Sequence, residues 1–468
     1  MDQLIFASAT ELAQAIRAKD VSSEEVVSAH LHRIQTINPK LNAFTEVFAE
    51  QALTQARQAD QSLAQGTLLG PLHGVPISVK DVFDIAGVRT VTGSRLRETT
   101  VATTDAPVVT AVKRAGAVIL GKTNVPECGL DYRSENLVFG RTSNPWDLSR
   151  VPGGSSGGEA AAIASGCSPI GLGSDLGGSI RVPSHFCGIA GLNPTPGRIS
   201  SLGHFPTVLG PMSLGFSAGP MARRIDDLSL LFQIMVEADP RDPATVPLSA
   251  RTGDTPVNGG LKVMWYASDG VTPVTAETAA SVEQAAALLG EQGFETVHHK
   301  PAGVERGFEL WFYFLGQSSV PLLLNMYKGK EDLMGPLMQG LLHIIQPMSF
   351  EQFLTVWIER DLLRRSVLNE LGDNGVLLCP VAATPAFSHD QQDKFEINQH
   401  KVDYLQAFTY AQIYNLLGLP SVVVRCGKSP EGLPIGVQIV GRPFEEEKVL
   451  AVARVLENAG GGYQRPPL

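Results

Sequence analysis

Cysteine is scarce in this chain and nowhere paired. The 468 residues include five cysteines, an odd number at scattered positions, and no C-x-x-C pair. Such a set forms neither the disulfide framework of a small secreted protein nor the ligand pattern of a zinc site. We therefore predict reduced thiols, as in the cytoplasm, and a role as small buried apolar residues for Cys128, Cys167, Cys187, Cys379 and Cys426.

Long apolar runs, one-sided charge and metal-ligand spacings are missing as well. No stretch of about 18 residues is continuously apolar, and residues 1–4 lack the basic start of a secretory signal, so neither a membrane span nor export is expected. Acidic residues outnumber basic ones, 47 to 37, without long runs, which argues against a nucleic-acid partner. The ten histidines include no H-E-x-x-H spacing. We expect no metal and no cofactor.

Apolar residues, in contrast, make up 43% of the chain, enough for a large core. Capping-box pairs at Ser8 with Glu11 and Ser22 with Glu25 predict helices that run to about residues 38–39, and another helix is predicted at 47–65. Short apolar runs then alternate with helical patterns, which is typical of an α/β fold. Strands are predicted at 75–79, 117–120, 261–265, 376–378, 421–425 and 435–440, and a helix at 108–115.

Two short motifs match known patterns, but the surrounding residues argue against a phosphate-binding loop and against a nucleophile elbow. Residues 116–123 fit the phosphate-binding pattern G-x-x-x-x-G-K-[ST], but the four intervening residues, Ala-Val-Ile-Leu, are typical of a buried strand instead of an open loop. Residues 153–157 fit the nucleophile elbow G-x-S-x-G, which needs a strand before it. The preceding residues 144–152 contain two prolines and no apolar run, so they favour a loop.

The most informative stretches combine hydroxyl groups with glycines. Residues 154–158 are Gly-Ser-Ser-Gly-Gly, and residues 175–181 are Asp-Leu-Gly-Gly-Ser-Ile-Arg. A serine hydroxyl is a candidate nucleophile, and glycine lets the backbone approach a ligand closely. Most Gly/Ser clusters are only turns or linkers, so the surrounding sequence has to decide. The pattern indicates a serine hydrolase.

Blocks along the chain resemble, in order, those of the amidase signature family. They lie at residues 74–81, 121–124, 144–146, 153–158, 173–181 and 219–223, with further similarity at 419–420 and 433–438. The resemblance implies a single α/β/α domain over residues 1–468 with a central mixed sheet. Its expected parts are N-terminal helices at 1–70, a catalytic core at 74–223 and a helical excursion at 300–370. Residues 308–348 are rich in Leu, Met and aromatics, and either line an apolar pocket or form ordinary core or a dimer surface.

The same resemblance implies a catalytic unit of two serines and a lysine. Ser179 is the expected nucleophile, Ser155 the bridging serine on a cis peptide after Gly154, and Lys80 the base. A serine hydroxyl needs an adjacent base, and no histidine is an obvious candidate. A lysine serves if burial without a carboxylate partner keeps it neutral, and strand alternation should direct Asp81 to the opposite face.

Further site residues are expected around this unit. The backbone N–H groups of residues 176–179 can converge on the oxyanion of a tetrahedral intermediate. The resemblance places Gly129 with Ser155 at the substrate site. The expected oxyanion residues are Leu176, Gly177, Gly178 and Ser179, and the expected supporting residues are Ser156, Asp175 and Arg181, of which the last two brace the loop.

Within this family the chain looks more like the stand-alone fatty acid amide hydrolases than like the glutamine-hydrolysing chain of tRNA-dependent amidotransferases. That chain has an Asp-Glu-Phe stretch where residues 125–128 here are Val-Pro-Glu-Cys. We therefore predict cleavage of apolar acyl or aryl amides, with carbamates (a urethanase activity) and esters as further substrates, through an acyl-enzyme. A small-molecule substrate is the expected partner, and a homodimer stays open. The alternatives are a catalytically idle binding protein and the glutamine-hydrolysing chain of such an amidotransferase.

Overall fold

A computed structural model describes residues 2–250, 260–391 and 393–468. Its largest feature is one sheet to which eleven strands contribute. The strands are Phe44–Val47 (β1), Pro76–Lys80 (β2), Val118–Thr123 (β3), Glu135–Asn136 (β4), Gly140–Arg141 (β5), Ile170–Asp175 (β6), Ala190–Asn193 (β7), Ser217–Ala222 (β8), Lys262–Trp265 (β9), Glu295–His298 (β10), Gly375–Pro380 (β11), Lys394–Ile397 (β12), His400–Asp403 (β13), Ser421–Lys428 (β14) and Pro434–Val440 (β15).

The eleven strands follow the order β1-β3-β2-β6-β8-β7-β14-β15-β11-β9-β10, and the hairpins β4-β5 and β12-β13 stand apart. β2 is parallel to both β3 and β6, and β9 is parallel to β10 and β11. The other pairs are antiparallel, as in β6 with β8 and β14 with β15. The sheet is therefore mixed, and the predicted α/β class with a central mixed sheet is confirmed.

Helices cover the sheet. The α-helices are Asp2–Phe6 (α1), Ala9–Ala18 (α2), Ser23–Leu41 (α3), Ala49–Ala64 (α4), Pro107–Arg114 (α5), Gly157–Ala164 (α6), Arg181–Cys187 (α7), Ile225–Met235 (α8), Ala276–Glu291 (α9), Gly307–Trp311 (α10), Ser318–Asn325 (α11), Pro336–Ile344 (α12), Phe350–Leu371 (α13), Thr409–Leu416 (α14) and Glu446–Asn458 (α15). Helix α6 packs on β2 and β6, α8 on β8, and both α9 and α15 on β14. Because every residue of β2, β6, β8 and β15 is buried, both faces of the sheet are covered.

The capping boxes are confirmed at the starts of α2 and α3, but two boundaries differ from the prediction. Helix α3 continues through Pro39 to Leu41, and it ends where Asn42 adopts φ 52° and donates its N–H to Asn38 O at 2.7 Å. The helix predicted from residue 47 begins at Ala49, because residues 44–47 extend antiparallel to β3 instead. The six predicted strands are all present.

The phosphate-loop match is rejected by the structure. Residues 118–123 form β3, and Lys122 lies buried with Nζ 3.1 Å from Asp81 Oδ1 and 2.6 Å from Phe83 O. No strand directly precedes residues 153–157, so the nucleophile-elbow geometry is absent from this described part of the chain.

All five cysteines are buried and free, as predicted. Burial raises the pKa of each thiol, to about 11 for Cys167 and Cys379 and to about 12 for Cys128 and Cys426. These thiols are therefore protonated and shielded from solvent. Among the described residues, no helix combines the length and the apolar character needed to cross a membrane.

The sheet brings two chain segments to one edge. Strands β2 and β6 are parallel neighbours, so their carboxyl ends lie side by side. Lys80 is the last residue of β2, and Asp175 is the last residue of β6. The turn after β6 leads through Ser179 into α7. The carboxyl edge of parallel strands is a common location of ligand sites in α/β folds.

Candidate active site

Lys80 lies at the centre of a buried polar cluster. Its Nζ atom is 2.8 Å from Ser155 Oγ, 2.9 Å from Ser174 Oγ and 3.3 Å from Ser174 O. The side chain of Asp81 pairs with Lys122 instead, so it occupies the opposite face of the strand, as predicted. Lys80 and Ser155 are 0% and 2% exposed. The contact between Lys80 and Ser155 joins two of the three predicted catalytic residues.

Burial shifts the proton equilibrium of Lys80. It lowers the pKa of Lys80 to about 7, against the charges of Asp175 and Glu159, which favour the protonated amine. Glu159 accepts hydrogen bonds from the hydroxyls of Ser78 and Thr123, and burial raises its pKa to about 7. No carboxylate of the described residues forms an ion pair with Lys80. The neutral amine is therefore well populated at neutral pH.

Ser155 lies in the loop before α6, and the Gly154–Ser155 peptide bond is cis, as predicted. Ser156 links this loop to the loop that carries Ser179, because Ser156 N donates to Ser179 O at 3.1 Å. The Ser156 hydroxyl is 3.4 Å from Ser174 O. Ser156 therefore holds the two serine-bearing loops together through its backbone.

Ser179 is half-buried, in contrast to the fully buried Lys80. Over residues 2–250, 260–391 and 393–468, no hydrogen bond involves the Ser179 hydroxyl, and its link to Ser155 Oγ is not formed. Catalytic hydrogen bonds are often long without substrate and tighten in the complex. The structure thus places Ser179 on a partly exposed loop whose backbone is hydrogen-bonded to Ser156, the residue after Ser155.

The loop of residues 176–179, for which an oxyanion hole is predicted and which we call the oxyanion loop, has three free backbone N–H groups among the described residues instead of the four predicted. Gly178 N donates to Asp175 Oδ1 at 2.6 Å, and Ile180 N donates to Asp175 Oδ2 at 2.9 Å. The Gly178 N–H is therefore used to shape the loop and is not available to an oxyanion. Within the described chain, the backbone N–H groups without an acceptor in this loop are those of Leu176, Gly177 and Ser179.

Asp175 is itself held by Arg181, and both side chains are completely buried. Arg181 contacts the two carboxylate oxygens at 3.1 Å, and it also donates to Gln438 Oε1 at 3.1 Å and to Asn415 Oδ1. Although burial alone acts to raise it, the charge and hydrogen bonds of Arg181 bring the pKa of Asp175 below its usual value. The pair therefore stays charged and braces the loop.

Replacing Arg181 with methionine is expected to lower the free energy of unfolding by about 3 kcal/mol, because Asp175 would stay buried without its cation. Denaturant unfolding measures this change. The control is Arg114→Met, which breaks an exposed pair with Glu237 and should cost less than about 1 kcal/mol. Equal small losses in both variants would contradict a bracing role.

Sequence reasoning missed the partners that orient Lys80. His204 Nδ1 lies 2.9 Å from Pro206 O, and its Nε2 lies 3.0 Å from Ser174 Oγ. Because a carbonyl only accepts, Nδ1 carries the proton and Nε2 accepts from the Ser174 hydroxyl. Burial lowers the pKa of His204 to about 3, so the ring is neutral.

This hydrogen-bond order has a consequence for Lys80. The Ser174 hydroxyl donates its single hydrogen to His204 Nε2. Its oxygen can therefore only accept from Lys80. A neutral Lys80 can donate both amine hydrogens to Ser174 Oγ and Ser174 O, which directs its lone pair to Ser155 Oγ. Ser174 lies inside a recognised sequence block, but nothing in the sequence connects it with His204, 30 positions away.

Gly129, the predicted substrate-site residue, lies beside Ser155. Its φ is +70°, and a β-carbon placed there would lie 3.5 Å from Ser155 Oγ. Glu127 anchors the helical segment of residues 307–371. Its Oε1 accepts from the Tyr327 hydroxyl at 2.8 Å, and its Oε2 accepts from Gly335 N at 2.8 Å. Cys128 packs into an apolar cluster with the buried residues Phe205, Leu323, Tyr327, Met334, Met338 and Leu341.

Metal ligation is not supported in the described residues, where no group of three or more His, Cys, Asp or Glu side chains is placed to hold an ion. The buried polar cluster instead consists of an amine and hydroxyls, which suits proton transfer. The described residues thus combine a mixed α/β sheet with a buried cluster of an amine and hydroxyls.

The family model described as Amidase matches residues 25–450. The chain therefore belongs to the amidase signature family. It is 32% identical to the human fatty-acid amide hydrolase 2, over 99% of this chain and 91% of that protein. It is 34% identical to the A subunit of the glutamyl-tRNA(Gln) amidotransferase of Synechococcus sp. (strain CC9605), over 97% of this chain and 96% of that protein.

A solved structure of a bacterial aryl acylamidase of the same family also matches. It superposes with a TM-score of 0.87 at 25% sequence identity, covering 97% of this chain and 96% of that one. The predicted family and enzyme class are confirmed by these similarities. They extend along nearly the whole length of both chains.

Proposed function

We propose that this chain is a stand-alone amidase that cleaves the C–N bond of apolar acyl or aryl amides through an acyl-enzyme on Ser179. The observation that carries the proposal is the contact of 2.8 Å between Lys80 Nζ and Ser155 Oγ, both of them buried. A base directly on a bridging hydroxyl, next to a reachable second serine, is the arrangement that activates a serine nucleophile.

In the proposed first step, neutral Lys80 takes the proton of Ser155 while Ser155 takes the proton of Ser179. The Ser179 oxygen then bonds to the carbonyl carbon, and the carbonyl electron pair moves onto its oxygen. Collapse of this intermediate breaks the C–N bond, and the proton held by Lys80 returns through Ser155 to the leaving amine. Water, activated by the same relay, then hydrolyses the ester on Ser179 and restores the enzyme.

The free N–H groups of the oxyanion loop supply the electrostatic stabilisation. One of them belongs to Ser179 itself and another to Gly177, two positions before it, and neither has a competing acceptor among the described residues. Donors fixed before the reaction stabilise a developing oxyanion without reorganisation. We therefore assign the oxyanion hole to Leu176, Gly177 and Ser179, and we leave out Gly178.

The preference for apolar acyl or aryl groups is supported by the apolar cluster around Cys128, next to Gly129 and Ser155. The similarity to a fatty-acid amide hydrolase and to an aryl acylamidase fits the same preference. Carbamates and esters differ only on the leaving side, so the same serine and oxyanion hole would serve them. We also propose that residues 1–468 act as one catalytic domain in the cytoplasm, where five free buried thiols stay reduced.

The second candidate is hydrolysis of glutamine as one chain of an amidotransferase. It is favoured by the similarity to the glutamyl-tRNA(Gln) enzymes, which is as high as that to the amide hydrolase. The segment 125–128 weakens it, because it is Val-Pro-Glu-Cys where the glutamine-hydrolysing chain has an Asp-Glu-Phe stretch. Glutamine turnover that appears only with a co-purifying chain would favour this candidate.

A substrate panel with covalent labelling tests the proposal. Wild-type protein is treated with a fluorophosphonate and analysed by intact mass and peptide mapping, in parallel with p-nitroanilide amides, aryl carbamates and glutamine. We expect one label on Ser179 and release from apolar anilides or carbamates. Absence of label, or turnover of glutamine alone, would reject a free-standing amidase.

A further inference from the structure

We propose that Trp311 is a positioning residue for the oxyanion loop, and that this one side chain connects the helical segment of residues 307–371 to catalysis. This rests on the proposed function and adds a residue and a region to it. Trp311 touches neither Lys80 nor the two serines by a hydrogen bond, and its effect passes through Leu176 and Gly177.

Trp311 is the last residue of α10, and the chain continues as a π-helical stretch over Phe312–Gln317. Its indole Nε1 donates to Leu176 O at 2.8 Å, across 135 sequence positions. Short π-helical segments occur frequently at functional sites. The contact therefore joins the helical segment directly to the backbone of the oxyanion loop.

The hydrogen bond from Trp311 also sets the direction of the Gly177 N–H group, because both groups belong to one peptide unit. Leu176 C=O and Gly177 N–H belong to one planar trans peptide, so they point in opposite directions. The hydrogen bond from Trp311 holds the carbonyl, and the Gly177 N–H therefore points away from the indole. In the described chain this N–H has no acceptor, which leaves it free for an oxyanion.

The next peptide unit is held in a different way. The Tyr132 hydroxyl donates to Gly177 O at 2.5 Å, while Gly178 N donates to Asp175 Oδ1 at 2.6 Å. That unit is fixed at both ends by the core. The unit of Leu176 and Gly177, in contrast, is fixed at its carbonyl by Trp311, which makes its orientation depend on the helical segment.

A second contact locates the indole independently of the hydrogen bond. A β-carbon on Gly177 would lie 2.7 Å from Trp311 Cζ2 and 3.1 Å from Cε2, closer than side-chain atoms tolerate. The ring therefore packs directly on the backbone of residue 177, and only glycine permits this approach. Both contacts act on the same peptide unit.

The test replaces Trp311 with phenylalanine, which keeps an aromatic ring and removes the N–H donor. We expect kcat for the fastest anilide to fall by about 10- to 100-fold, with KM changed by less than about threefold, because the donor acts on the transition state. Inhibition by phenylboronic acid, whose tetrahedral adduct carries an oxyanion-like oxygen, should weaken by a similar factor. The labelling rate of Ser179 by the fluorophosphonate should fall as well.

The matched control is Trp357→Phe in α13, in the same helical segment. Trp357 packs edge-on against Phe314 and Phe353 at 5.5 Å and lies outside the oxyanion loop. The Trp357→Phe variant should keep kcat, KM and boronate inhibition within about twofold of the wild type, since the change removes packing but no hydrogen-bond donor to the oxyanion loop. Thermal unfolding of both variants shows that each is folded.

The outcomes separate three cases. A labelled wild type with kcat retained in Trp311→Phe, or with only KM raised, would overturn the positioning role and leave Trp311 as a pocket wall. A wild type without label on Ser179 would reject the proposed function and this role together. If Trp311→Phe does not fold, Gly177→Ala tests the packing of the indole on residue 177, because its added methyl group would displace the ring. We expect this variant to lower kcat and preserve KM. Full activity of Gly177→Ala would overturn the positioning role of Trp311.

Discussion

Ser179→Ala is expected to lower turnover by about 10⁵-fold or more and to remove the fluorophosphonate label, because it deletes the hydroxyl on which the proposed acyl-enzyme forms. Ser179 is half-buried and reachable, while Ser155 is 2% exposed and bonded to Lys80. Turnover of the anilide panel and intact mass after labelling measure the loss. The variant should stay folded, since the Ser179 hydroxyl forms no hydrogen bond within the described residues.

Ser156→Ala is the matched control for that change. Ser156 is adjacent to Ser155, but its link to Ser179 is made by the backbone N–H, which alanine keeps. Activity should therefore fall by less than about tenfold. A dead Ser155→Ala variant together with a fully active Ser179→Ala variant would show that Ser155 is the nucleophile, and it would overturn the assignment to Ser179.

Lys80→Ala is expected to lower kcat/KM by about 10³- to 10⁴-fold, the contribution of a positioned general base. In the wild type, kcat/KM should rise with pH through a midpoint near 7, because only the neutral amine accepts a proton and burial lowers the pKa of Lys80 to about 7. Below that midpoint the protonated amine accumulates and activity falls about tenfold for each pH unit.

The charged and titratable groups around Lys80 are Asp175, Glu159 and the neutral His204. Since Glu159 also titrates near 7, the observed midpoint belongs to the coupled pair. Lys80→Arg is the control, because a guanidinium stays protonated throughout this range and should give no rising limb. A wild-type profile that is flat between pH 5 and 9 (about two units either side of 7) would contradict a lysine base.

Much of the buried polar cluster around Lys80 could be predicted from the sequence because its residues lie in short blocks. Lys80 follows an apolar run that forms β2, and the cis bond at Ser155 follows from the family resemblance. Strand β6, which ends beside Lys80, was missed because Ile-Gly-Leu-Gly-Ser-Asp has few residues that favour strands. The neighbouring parallel β2 stabilises it as a strand, and a local pattern does not show this pairing.

Contacts between distant segments were not predictable. His204 reaches Ser174, Trp311 reaches Leu176, and Tyr132 reaches Gly177, each through a hydrogen bond that depends on tertiary packing. The use of Gly178 N–H by Asp175 was missed for a different reason, since a run of N–H groups in sequence does not reveal which of them the loop consumes. The site residues were visible in the sequence, but the groups that orient them were not.

The burial of all five cysteines has a practical consequence for measuring motion. Since the native thiols are shielded and protonated, a maleimide should react only with a cysteine placed on the surface. Phe350 in α13 is 75% exposed and Val101 is 52% exposed, so each accepts such a substitution without loss of core packing. A pair of spin labels at these two positions would report whether the helical segment shifts against the sheet during turnover.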